Sequence, residues 1–216
     1  MAYRLVIFDL DGTLVDSAGC VLASLERALA ACGCPFDGTQ VRPHIGEPLE
    51  GIVAAASPSI EPWALGDVVE AYGRHYAALE RDLVRPFPGA LPTLERLRVA
   101  GVRLAVATNR IYARARSSLD RLGVAASFDV IVAADGVSHP KPHPAGVHRV
   151  LDVTGVAPAE TLMVGDTVWD IEMATRASVA SCAVTWGYHD AARLARSAPS
   201  HRADTFEDLE QIVSTN

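Results

Sequence analysis

The chain has 216 residues, 50% of them apolar, and a net charge of −7. That length buries a sizeable core, either as one domain with an insert or as two small domains. The acidic balance excludes nucleic acid as a partner, no apolar run approaches the roughly 20 residues of a membrane-spanning helix, and Asp9 and Asp11 follow the apolar 5–8 too closely for a signal peptide. The expectation is a cytoplasmic protein with no membrane partner, either a monomer or a homodimer.

Residues 4–8 read as a buried strand. From 16 to about 85 there is no convincing strand. Leu22, Leu25 and Leu29 form a helical stripe ending near Gly33, and further helices are expected over 49–56 and about 65–79. Pro86-Phe87-Pro88-Gly89 marks a turn back. Beyond it, short apolar runs at 102–107, 130–134, 161–164 and 180–184 alternate with helical stripes. These stripes are Leu91/Leu94/Leu97, Ala115/Leu119/Leu122, Val147/Val150/Leu151 and Leu209/Ile212/Val213. Gly101, Gly123 and Gly155 suit positions just past helix ends. Strand and helix in alternation predict an α/β fold, a doubly wound parallel sheet with a Rossmann-like core. The expected organisation is a core of 1–15 and 86–216 with a helical insert at 16–85.

The four cysteines have the spacing of neither a zinc ribbon nor a thioredoxin-like site, and they read as small buried or half-buried thiols. Of the 19 basic residues only Lys141 is lysine. Where nearly every cation is arginine, a retained lysine points to a need for a compact ammonium.

Ligands of open parallel sheets bind beyond the carboxyl ends of the strands. Four segments lie at such ends. Asp9-Leu10-Asp11-Gly12-Thr13 places two carboxylates two residues apart before a glycine. Thr108-Asn109 offers a hydroxyl and an amide, suited to a phosphoryl oxygen or to a helix N-cap. Pro140-Lys141-Pro142 restricts the backbone around the one lysine. Gly165-Asp166-Thr167 with Asp170 puts two carboxylates one helical turn apart.

Taken in order, these segments resemble the haloacid dehalogenase superfamily over nearly the whole chain. Asp9-Leu-Asp-Gly-Thr-Leu-Val-Asp-Ser is the specific opening, Lys141-Pro-His-Pro the middle, and Gly165-Asp166 with Asp170 the close. The insert looks like that family's helical cap of the first type. Thr185-Trp186-Gly187-Tyr188 and Ala203-Asp204 look most like its phosphoglycolate phosphatase branch.

The resemblance implies a phosphatase acting on a small phosphorylated metabolite with Mg2+ as cofactor. Asp9 would be the nucleophile, forming an aspartyl-phosphate, and Asp11 the general acid and base. Thr108, Asn109 and Lys141 would bind the phosphoryl group. Asp9, the Asp11 backbone carbonyl and Asp166 would hold the metal, with Thr13 and Asp170 in support and Asp170 ordering Lys141 or a metal-bound water. In the insert, Arg42 or His44 would reach an anionic leaving group from the loop 42–46. Two departures stand out. Ser178 follows Ala177 where the family commonly has glycine, which places a serine in a left-handed backbone conformation. Arg110 replaces a common lysine and reads as a surface residue, with contact to substrate as the alternative.

Within the family, no lysine is present in the insert for Schiff-base chemistry, and Asp11 disfavours dehalogenation. Sugar phosphomutase, pyrophosphatase and nucleotidase activities remain as alternatives. Outside it, a phosphoacceptor receiver domain needs no insert, and an idle binding module would not retain every site residue.

Overall fold

The computed structural model describes residues 3–215. The chain divides into two compact units, one formed by the segment up to Val15 with everything from Pro86 onward, the other by 16–85.

The first unit is built on strands β1 (Leu5–Phe8), β4 (Arg103–Ala107), β5 (Val130–Val132), β6 (Thr161–Gly165), β7 (Ala180–Val184) and β8 (His201–Ala203). Two short strands, β2 (Val15–Asp16) and β3 (Arg85–Pro86), mark where the chain leaves and returns. The six main strands lie in the order β5-β4-β1-β6-β7-β8, and every neighbouring pair is parallel. This is the doubly wound α/β sheet expected from the alternation of elements.

Beyond Arg103 and Thr161 at their starts, the central strands are apolar because helices cover both of their faces. Leu5, Ile7, Ala105, Ala107 and Met163 turn to one face. There they pack with Val147 and Val150 of α6 (Ala145–Thr154) and with Met173 and Ala174 of α7 (Val168–Arg176). The alternate residues Val6, Phe8, Leu104, Val106, Leu162 and Val164 are also buried, as the period of two in a strand demands. Helices α4 (Ala90–Val99), α5 (Tyr112–Arg121), α8 (Ala191–Arg196) and α9 (Phe206–Thr215) complete the unit.

Register sets the site. Phe8 pairs with Val106 on one side and with Val164 on the other. The segments after β1, β4 and β6 therefore leave the sheet along one edge, bringing Asp9, Thr108 and Asp166 out together.

The second unit contains α1 (Ala18–Ala31), α2 (Leu49–Ala56) and α3 (Leu65–Leu83). Val21, Leu25, Ala28 and Leu29 of α1 are buried, as are Val53 and Ala56 of α2 and Val68, Tyr72 and Tyr76 of α3. The loop expected at 42–46 contains a 3-10 turn, Arg42–His44, with Pro43 at its start. Pro43 presets the backbone angle that such a turn requires.

Candidate active site

The segment after β1 turns sharply at Gly12, whose φ is +83°. A side chain there would be strained and would also collide, since an added Cβ lies 2.2 Å from Asp166 Oδ2. Glycine lets the β1 loop press against the carboxylate at the end of β6. Thr13 closes the contact by donating its hydroxyl to Asp166 Oδ1 at 2.8 Å. The backbone N–H of Tyr188 donates to Asp166 Oδ2, also at 2.8 Å. Trp186 donates its indole N–H to the Thr13 carbonyl at 3.0 Å, tying the β7 loop to the β1 loop.

Lys141 is buried and donates through Nζ to Asp9 Oδ1 at 2.6 Å and to Asp170 Oδ1 at 2.7 Å. The peptide bond from Lys141 to Pro142 is cis. The other oxygen of Asp170 accepts from the N–H and the hydroxyl of Thr167, at 3.1 and 2.6 Å, forming a capping box at the start of α7. Asp170 is thus both the helix-start carboxylate and the partner of Lys141.

Asp9, Asp166 and Asp170 are all buried, and one carboxylate oxygen from each lies within 4.8 Å of the others. Three buried carboxylates face a single ammonium. Burial, opposed by Lys141 and reinforced by Asp170 and Asp11, raises the Asp9 pKa from 3.8 to about 7. Burial, then Asp9 and Asp170, pushes Asp166 well above the usual carboxylate range against the pull of its Tyr188 and Thr13 hydrogen bonds. Desolvation alone would lower Lys141, but Asp170 and Asp9 outweigh it and carry its pKa to about 12. The lysine therefore stays charged while the carboxylates lack sufficient compensation. Hard oxygen donors carrying excess negative charge fit a divalent cation such as magnesium.

Asp11 stands apart from this trio. Its carboxylate is held by both arms of Arg110, with Nε on Oδ2 at 2.5 Å and Nη2 on Oδ1. Arg110 Nη1 donates to the buried Ser118 hydroxyl of α5 at 2.8 Å. The Arg110 side chain is only 10% exposed, which corrects the expectation of a surface residue. Its guanidinium is drawn inward because Asp11, 12% exposed, would otherwise be a nearly buried and unpaired charge. The available clue was Ser118, a polar residue among the apolar positions Ala115 and Leu119.

Thr108 and Asn109 follow β4 as expected, but neither caps α5, whose N-cap is Ile111. Thr108 Oγ1 accepts from the Arg110 N–H at 3.2 Å. Asn109 Oδ1 accepts from the Lys141 backbone N–H at 2.9 Å, so this amide oxygen positions the lysine loop. Arg42 and His44 belong to the 16–85 unit, where His44 Nδ1 lies 2.9 Å from Glu47 Oε1. Ser178 has a φ of 57°, as the departure from glycine predicted.

Residues 6–184 match the model of the haloacid dehalogenase-like hydrolases. The chain belongs to this family. It is 39% identical over 215 residues to a protein of Dickeya dadantii named "Probable phosphatase IndB", spanning 95% of this chain and 91% of that one. It is 35% identical over 188 residues to the phosphoglycolate phosphatase of Aquifex aeolicus, spanning 86% of each. Pyrophosphatases also occur among its relatives, such as PpaX of Oceanobacillus iheyensis, 29% identical over 99% of this chain and 98% of that one. The crystal structure of a predicted phosphoglycolate phosphatase from Haemophilus somnus superposes with a TM-score of 0.91, at 28% identity and 98% coverage of both chains. As a haloacid dehalogenase-like hydrolase, the chain is an enzyme whose relatives are phosphatases.

Proposed function

We propose that this hydrolase is a magnesium-dependent phosphatase acting in the cytoplasm on a small phosphate monoester of the phosphoglycolate kind. The carrying observation is the buried Asp9, Asp166 and Asp170 trio with Lys141 bridging two of its members.

In this reading Asp9 attacks phosphorus, the bond from phosphorus to the leaving oxygen breaks, and an aspartyl-phosphate forms. Asp11 gives its proton to the leaving oxygen. It then takes a proton from the water that attacks the phosphorus of the acyl phosphate, which regenerates Asp9 and releases phosphate. Thr108 and Lys141 hold the phosphoryl oxygens, and Asn109 supports the loop that presents Lys141. Asp9, Asp166 and the Asp11 backbone carbonyl would hold magnesium, with Thr13 fixing Asp166 and Asp170 fixing Lys141. A bound magnesium supplies the positive charge that offsets repulsion between a carboxylate and a phosphate dianion. Two like charges ~4 Å apart cost ~4 kcal/mol at an effective dielectric of ~20. Arg42 and His44 stay as proposed leaving-group contacts, to be tested by substitution.

The test is turnover of an aryl phosphate with magnesium and with chelator, for wild type and Asp9→Asn. Magnesium-dependent turnover that disappears in the variant supports the reading. Turnover that persists in Asp9→Asn removes Asp9 as nucleophile. A panel of phosphoglycolate, pyrophosphate, sugar phosphates and nucleoside monophosphates then ranks the substrates.

A further inference from the structure

We infer that Arg110 selects leaving groups that carry a carboxylate, by exchanging Asp11 for that carboxylate on its guanidinium. The inference rests on the phosphatase reading and adds the residue that reads the leaving group.

The geometry has three parts. Arg110 presents a two-pronged face, and that face is filled by the Asp11 carboxylate. The third nitrogen is anchored to Ser118, so the guanidinium does not depend on Asp11 alone for its position. Asp11, in turn, is the residue that must reach the leaving oxygen. The fork therefore lies one carboxylate away from the leaving group.

A carboxylate on the carbon next to the ester oxygen has the same planar, two-oxygen shape as the Asp11 side chain. It can take the fork by the same paired hydrogen bonds. Ser118 holds the guanidinium in place during the exchange, and Asp11, once off the guanidinium, takes up a proton from water and turns toward the leaving oxygen. A leaving group without the carboxylate offers nothing to trade, and Asp11 stays clamped. Lys141 does not read the carboxylate in place of Arg110, because in the phosphatase reading its ammonium, held between Asp9 and Asp170, serves the phosphoryl oxygens. The planar fork also explains why arginine at this position is not equivalent to lysine.

The experiment compares kcat/KM for phosphoglycolate and ethyl phosphate, which differ by a carboxylate against a methyl. It uses wild type, Arg110→Ala and Arg110→Lys, each checked for folding by circular dichroism, and adds inhibition by glycolate. Wild type is expected to favour phosphoglycolate by at least about tenfold, the scale of a charged hydrogen-bonded pair. Arg110→Ala should bring the ratio to about one and weaken glycolate inhibition by a similar factor, and Arg110→Lys should restore only part of both. If Arg110→Ala does not fold, Ser118→Ala replaces it and should lower the ratio while retaining the ion pair. Equal turnover of both esters by wild type overturns the inference and leaves the phosphatase reading standing. So does an Arg110→Ala protein that slows both esters alike and keeps the ratio, since Arg110 would then merely hold Asp11. A folded wild type that turns over neither these esters nor an aryl phosphate removes the phosphatase reading and this inference with it.

Discussion

Thr13 and Asp166 are 153 positions apart in the chain and joined by a 2.8 Å hydrogen bond within the core. The bond links the loop after β1 to the carboxylate after β6, and both partners are fully buried. Thr13→Val keeps the shape and removes the donor. It should cost about 1–3 kcal/mol by leaving a buried acceptor short of a partner. Magnesium affinity, measured by calorimetry, should fall in parallel. An unchanged urea midpoint and an unchanged affinity would show that the bond contributes nothing.

Lys141 should be the least replaceable cation in the molecule. Lys141→Met leaves Asp9 and Asp170 buried together with no ammonium between them, a loss of about 3–5 kcal/mol. Lys141→Arg keeps the charge but brings a wide planar group to a point where one nitrogen meets two carboxylates, so activity should not return. Chemical denaturation and phosphatase assays of both variants test this, and an active Lys141→Arg would refute it.

Asp9→Asn should stabilise the metal-free protein while destroying activity. The substitution removes one of three crowded buried carboxylates, and Lys141 keeps Asp170 as a partner. In chelator at pH 8, the variant should unfold at a higher urea concentration than wild type. With saturating magnesium the order should narrow or invert, because wild type then gains a bound cation.

The pH dependence has a definite sign. The folded metal-free protein holds Asp9 at about 7 against 3.8 for an ordinary aspartate, so it binds a proton the unfolded chain has released. The stability tied to Asp9 is fully present below about pH 4 and is lost as pH rises through about 7; Asp166 shifts in the same direction. The difference in urea midpoint between Asp9→Asn and wild type, both in chelator, should therefore grow from pH 4 to pH 8. The gain from magnesium should likewise be larger at pH 8 than at pH 5. A difference that shrinks over this window would contradict the assignment.

Ser178 is exposed and sits at φ 57°, beyond the end of α7. Ser178→Gly should add about 1 kcal/mol by relieving the left-handed strain. A thermal melt of the inactive Asp9→Asn background avoids confusion with ligand effects. No change in melting temperature would mean the serine side chain makes up for its backbone.

Much of this was legible in the sequence, for physical reasons that differ from residue to residue. The central strands are short, mostly apolar runs, and β7 was expected and found over Ala180–Val184. β8 was not anticipated because His-Arg-Ala carries no apolar run; it pairs at the edge of the sheet beside β7. The six-residue α8 is too short to show a helical period. Among the site residues, Asp9, Asp166, Asp170 and Lys141 announced themselves by their place at strand ends and by the rarity of lysine. Arg110 stood out only as a departure from lysine; its burial against Asp11 was not legible, because one arginine among 18 carries no compositional signal and the partner is 99 positions away. The bond from the Lys141 backbone N–H to the Asn109 oxygen was not legible either, since a side-chain amide serves a backbone N–H as readily as a ligand and the two residues are 32 positions apart.

The scarcity of lysine has a practical side. The single lysine side chain is buried and doubly bonded in the native state. An amine-reactive acylating reagent therefore has one side-chain amine to modify in the whole polypeptide, and it becomes reachable only when the sheet edge around Asp9 opens. The rate of Lys141 acylation, followed by mass spectrometry, is a clock for that local opening, and it needs neither a dye nor an engineered probe.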